Sequence, residues 1–187
     1  MNKKYTYFVI MFLILASCIA FGRIAGNEFV TYDDTIFITE NHNIQSGFSL
    51  ESLKWALTTT YASYWHPVTW LSFILDGSLF AGNPVGTHLV SLLLHIGAVI
   101  ILFLFLNKTT NSLWPSAFAA AIFALHPLRV ESVAWAAERK DVLSMFFGMA
   151  CLYVYAFWSE NSRLSRYFLC LILFALALMS KPMMVTL

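Results

Sequence analysis

Residues 89–106 (LVSLLLHIGAVIILFLFL) carry no Asp, Glu, Lys or Arg, and neither do residues 5–22 (YTYFVIMFLILASCIAFG). At about 1.5 Å of rise per residue, a helix of either stretch nearly covers the roughly 30 Å hydrocarbon core of a bilayer. Lipid offers no partner to backbone N–H and C=O groups, so such segments must bond internally as helices. Three further apolar segments, 113–125, 142–158 and 167–180, bring the expected spans to five. Residues 113–125 must extend or tilt to cross, and 167–180 is short enough for a buried or re-entrant helix. The chain is 59% hydrophobic and only 11% charged, against about 25% charged in a soluble domain. The expected class is therefore an all-α, polytopic integral membrane protein.

Charge placement orients the spans. If all five cross, the inner segments are 1–4, 107–112 and 159–166. They hold Lys3, Lys4, Lys108, Arg163 and Arg166 against a single acid, Glu160. That is the positive-inside pattern, and it leaves nine of the ten acids outside. A formal charge of +1 gives no sign of a nucleic-acid partner. Cys18, Cys151 and Cys170 lie in apolar segments and read as packing residues. Leu15-Ala16-Ser17-Cys18 has the shape of a lipoprotein cleavage box, but the apolar run continues past the cysteine.

The outer loop, 23–88, is not disordered in composition. Residues 46–60 suggest an amphipathic helix capped by Ser49, with Phe48, Leu53, Trp55 and Leu57 to bury. Residues 67–81 suggest an interfacial helix opened by Pro67 and interrupted at Asp76-Gly77. A full crossing there would put the cationic segments outside, and is rejected. There is no internal repeat. The last residues, 181–187, read as the opening of another segment, so the chain is expected to be part of a longer one.

The cores of the five spans hold no Asp, Glu, Lys or Arg, and His95 is expected to hydrogen-bond between helices. This argues against an ion-coupled transporter. Chemistry-bearing residues gather at the outer rim instead. Asp33 and Asp34 are adjacent, so their side chains diverge; one could be a general base while the other caps a helix starting near Thr35. Two surface caps are the plainer account. His66 precedes Pro67 and is pushed toward extended backbone, where it could meet an anionic ligand or simply sit at the interface. Residues 126–141 (HPLRVESVAWAAERKD) should be helical after Pro127, with Glu131, Glu138 and Asp141 on one side and Arg129 and Lys140 on the other. Cations beside an apolar surface suit a lipid-linked phosphate; a solvated helix with ordinary Glu–Arg/Lys pairs is the alternative. Lys181 adds a further cation, which could equally be snorkelling. Asp33, Asp34 and Glu131 could offer oxygen ligands to a divalent metal, but no cofactor follows from their spacing.

The stretches FVTYDDTIFI, WHPVTWLSFILDGSLFAGNPVGTHLVSLLLH, ALHPLRVESVAWAAERKDVLS and ALMSKP, in this order, cover most of residues 28–182. They resemble the GT-C glycosyltransferase architecture. Within it they are most similar to the transmembrane O-mannosyltransferases that target cadherins and to bacterial relatives carrying tetratricopeptide repeats. The resemblance implies transfer of a sugar, with inversion, from a polyprenyl-phosphate-linked donor to a protein or glycan acceptor on the non-cytoplasmic side of the bilayer. It implies Asp33 as general base with Asp34 supporting it. Arg129, Arg139, Lys140 or Lys181 would stabilise the departing phosphate, with Arg139 favoured and Glu131 and Asp141 orienting it. Pro182 stands where an acid is common in such proteins, which weakens the role of Lys181. A bacterial cytoplasmic membrane is the expected location, rather than an endoplasmic reticulum. A non-catalytic membrane anchor is the rival reading, and a transporter ranks third.

Overall fold

The computed structural model describes residues 3–187, so the first two residues of the expected inner segment 1–4 lie outside the described residues. Helix α1, Lys3–Phe21, ends in a 3-10 turn over Gly22–Gly26. An outer lobe follows, with a π-helical turn at Thr35–Thr39 and helices α2 (His42–Gln45), α3 (Leu50–Thr58) and α4 (Pro67–Phe80). The rest of the bundle is α5 (Pro84–Thr110), α6 (Leu113–Leu125), α7 (Arg129–Ala134), α8 (Arg139–Glu160) and α9 (Leu164–Ser180). A 3-10 segment, Pro182–Thr186, follows α9. The protein is all-helical and polytopic, as the apolar runs require.

Among the described residues, three stretches are long and apolar enough to cross a membrane: Lys3–Gly26, Pro84–Thr110 and Ala136–Glu160. The other two expected spans are shorter, with 13 residues in α6 and 17 in α9. At helical rise these reach only about 20 and 26 Å. Helix direction follows from the end contacts. Tyr5 meets Trp114 at 6.4 Å between ring centroids, joining the start of α1 to the start of α6. Lys108 and Glu160 pair at 2.5 Å, joining the ends of α5 and α8. The five apolar helices therefore alternate in direction, and the cations Lys4, Lys108, Arg163 and Arg166 share one end of the bundle.

Helices α1, α5 and α6 pack through Val9, Leu13, Val99, Phe103, Ala120 and Ala124. Small residues at such contacts let helix backbones approach closely. His95 shares its Nε2 with the Ala124 carbonyl at 3.1 Å, the interhelical bond anticipated for it. The outer faces are apolar as lipid demands, with Ile19 81% and Phe8 63% exposed.

The outer lobe has its own core of Phe37, Ile38, Ile44, Ala56, Trp70, Phe73 and Ile74, closed by Ala136 and Ala137. Ser49 caps α3 in a reciprocal capping box with Ser52. The helix buries Ser52 and Ala56 and packs Trp55 on this core as expected, but Leu57, and Phe48 just before the helix, are exposed, contrary to expectation. Helix α4 is not interrupted at Asp76-Gly77. Gly77 lets the Ile44 carbonyl approach so closely that a Cβ would lie 2.3 Å from its oxygen, and Asp76 turns inward. Nor is 126–141 one helix. It breaks at Trp135, whose backbone is extended, so the expected grouping of acids on one side and cations on the other does not form.

Candidate active site

Asp33 and Asp34 diverge. Asp34 is fully buried, and its carboxylate accepts two backbone N–H bonds, from Val30 at 2.9 Å and from Ala137 at 2.7 Å. It does not cap the turn at Thr35–Thr39, which makes no side-chain cap bond. Instead it binds the chain leading into α8, where the peptide N–H groups point outward and favour an anion. The Trp135 break makes this possible, because a continuous helix would have kept the Ala137 N–H for itself. Asp33 is half-buried and faces a cavity, with no hydrogen bond or ion pair among the described residues.

The break also drives Arg139 inward. Its guanidinium has no exposure and donates to Asp76 (2.7 Å), the Thr87 carbonyl (2.6 Å), Ser91 (2.8 Å) and, more weakly, Ser72 (3.4 Å). Helices α4, α5 and α8 are locked together by one side chain. The expectation that Arg139 holds a phosphate, oriented by Glu131 and Asp141, is thus not what this geometry provides: Asp76 orients it, and it does not line the cavity. Lys140, the next residue, does.

The cavity has a volume of about 710 Å³, in the range of small-molecule sites. Asp33, His66, Lys140 and Lys181 all line it, so four sequence-chosen residues from distant parts of the chain converge. Lys140 pairs with Glu138 at 2.7 Å and lies 5.3 Å from the Phe37 ring centroid. Lys181 is paired with Asp141, whose other oxygen accepts from the Ser132 hydroxyl at 3.3 Å. The Thr69 hydroxyl donates to the Ser180 carbonyl at 3.0 Å and fixes the end of α9 beside α4, which sets Lys181 on the rim. Both lysines keep partial exposure and a single carboxylate partner, so they can turn toward an anion.

His66 sits at the cap position of α4, directly before Pro67. It is 1% exposed, and its ring lies among Trp70 (4.6 Å), Phe37 (5.8 Å) and Tyr64 (5.9 Å). Burial, and secondarily the charge of Lys140, lowers its pKa to about 4. At neutral pH it is an uncharged imidazole, so it does not meet an anion as a cation.

The remaining candidates lie elsewhere. Arg129 stacks on Phe123, its guanidinium 4.4 Å from the ring centroid, and neither it nor Glu131 lines the cavity. Asp33, Asp34 and Glu131 do not converge, and among the described residues no three His, Cys, Asp or Glu side chains group closely enough for a metal. Sequence reasoning missed Asp76 as the partner of Arg139 and Tyr64 as a cavity residue. An acid inside an otherwise apolar helix was the available signal for the first.

Residues 68–187 match the family model described as dolichyl-phosphate-mannose-protein mannosyltransferase. The human protein O-mannosyl-transferase TMTC1 is 33% identical over 165 residues, covering 81% of this chain and 18% of its own length. Human TMTC4 is 33% identical, covering 76% of the chain and 22% of its own length. Tmtc2 of Drosophila melanogaster is 29% identical, with 76% and 16% covered. The chain thus spans about a fifth of the length of these relatives. No solved structure matches it.

Proposed function

Because this chain belongs to the dolichyl-phosphate-mannose-protein mannosyltransferase family, we propose that it supplies the catalytic corner of a multi-pass membrane mannosyltransferase. The reaction moves mannose from a polyprenyl-phosphate carrier to a hydroxyl of a protein acceptor, on the non-cytoplasmic side. One observation carries this reading: an unpartnered carboxylate, Asp33, shares a cavity with Lys140 and Lys181, at the bundle end opposite the cationic inner segments. Nothing in a solvated helix requires that convergence.

In the proposed step, Asp33 takes the proton of the acceptor hydroxyl while its oxygen attacks the anomeric carbon. The bond from that carbon to the phosphate oxygen breaks, its electron pair leaves with the lipid phosphate, and the configuration inverts. A carboxylate suits the task because the reacting carbon carries oxocarbenium-like charge as the nucleophile loses its proton. Lys140 and Lys181 meet the charge that builds on the leaving phosphate. Asp34 acts at one remove, keeping Asp33 and the start of α8 in register through its bond to Ala137.

The test is Asp33→Asn in the full-length protein, reconstituted with polyprenyl-phosphate mannose and an acceptor peptide. Transfer is expected to fall by about 10²–10⁴-fold with an unchanged melting temperature. Undiminished transfer would overturn the reading and favour a non-catalytic anchor. The short connections 107–112 and 159–166 support a bacterial cytoplasmic membrane as the site of action. Fractionation of a tagged protein in its own cells checks that assignment.

A further inference from the structure

The cavity has polar groups that the reaction as proposed leaves unused. His66 lines it and is buried to 1% exposure, and its Nε2 has no hydrogen-bond partner. A buried polar atom left unpaired is costly; Trp70 Nε1, Trp135 Nε1 and both His88 nitrogens are also unpaired, but of these residues His66 alone lines the cavity. The ring is held in place by Trp70 and Phe37, so the nitrogen is fixed in position. Its outer face is covered by Tyr64, stacked at 5.9 Å and 27°, which is itself 54% exposed and also lines the cavity. The segment presenting Tyr64 contains Ala62 (φ 56°) and Ser63 (φ 64°), two non-glycine residues in the left-handed region. Backbone strain of this kind clusters at ligand clamps and switch segments, and a move of the segment would release it.

We propose that His66 and Tyr64 form the subsite for the hexosyl group of the donor, with His66 Nε2 bonded to a sugar hydroxyl and the Tyr64 ring packed on the sugar's C–H face. This rests on the reading of Lys140 and Lys181 as the phosphate site. The chemistry divides cleanly between the two. A lipid phosphate needs fixed positive charge, which the lysines carry. A pyranose needs a flat apolar surface and neutral hydrogen-bonding groups, which an uncharged imidazole and a phenol ring provide. Tyr64 moves off the imidazole as the sugar enters, and Nε2 gains the partner it lacks. Asp33 lines the same cavity.

Two probes separate the subsite from the phosphate site: a short-chain polyprenyl phosphate, and the same carrier bearing mannose. Each is titrated into the full-length protein in nanodiscs, with tryptophan fluorescence as readout, since Trp70 touches His66. The mannosylated probe is expected to bind about tenfold more tightly than the bare one. His66→Leu and Tyr64→Ala should each cut that preference about fivefold while bare-probe affinity stays within about twofold. His66→Gln, which keeps a side-chain N–H, should retain most of it. Lys140→Ala and Lys181→Ala should weaken both probes alike. An unchanged preference in Tyr64→Ala and in His66→Leu overturns the subsite and leaves the phosphate site standing. If His66→Leu does not fold, Tyr64→Ala alone decides. If neither probe binds, or binding ignores both lysines, the phosphate reading falls and takes the subsite with it.

Discussion

On the cavity wall, Asp33, Lys140 and Lys181 keep partial exposure and hold at most one ionic partner each. One residue along from the first two, in the layer behind, Asp34 and Arg139 are sealed from solvent and spend their polar atoms on backbone, hydroxyl and Asp76 partners. Each layer has an aspartate and a cation, at adjacent positions 33 and 34 and 139 and 140. Their difference lies in whether the bonding capacity of each group is already filled. A filled carboxylate or guanidinium fixes helices, and an unfilled one is available to a substrate.

The largest expected effect tests the buried layer. Arg139→Met strands the Asp76 carboxylate without its partner and should cost about 3–5 kcal/mol, read as lost thermal stability in detergent. Adding Asp76→Leu should restore most of that loss; if it does not, the ion pair is not the source. Next comes pH. His66 has a folded pKa of about 4 against an ordinary 6.5, so the unfolded chain binds the proton first as pH falls. Stability from this group is complete above about pH 6.5 and declines by about 3 kcal/mol toward pH 4. His66→Gln should flatten that slope in unfolding midpoints measured between those limits. Asp34→Ala leaves the N–H groups of Val30 and Ala137 unpaired, for about 1–3 kcal/mol, and should lower transfer as well because Lys140 loses its register. The smallest stability effect belongs to the wall itself. Lys181→Ala should cost less than about 1 kcal/mol while weakening binding of a bare polyprenyl phosphate. A loss as large as that of Arg139→Met would erase the distinction between the layers.

The apolar helices were legible because their signal is local: a long run without charge reads the same in any context. The divergence of Asp33 and Asp34 was legible for a similar reason, since adjacent side chains cannot point the same way. The Trp135 break was not, because no Gly or Pro marks it and Asp34, which accepts the Ala137 N–H that the break sets free, is distant in sequence. Arg139 was misjudged on residue type. A guanidinium near an apolar surface fits a phosphate as well as it fits Asp76, and only the fold brings Asp76 to it. Asp76-Gly77 looked like a helix interruption, whereas the glycine admits a neighbouring carbonyl and the aspartate serves the core.

The clasp of Asp34 on Val30 and Ala137 also has a mechanical consequence. It ties the segment bearing Asp33 to the start of the helix bearing Lys140, so these two parts are expected to move together. A movement that admits the proposed donor is then expected in residues 61–64 or in the stretch beyond α9, and a spin label on either should report it while one beside Asp34 stays still.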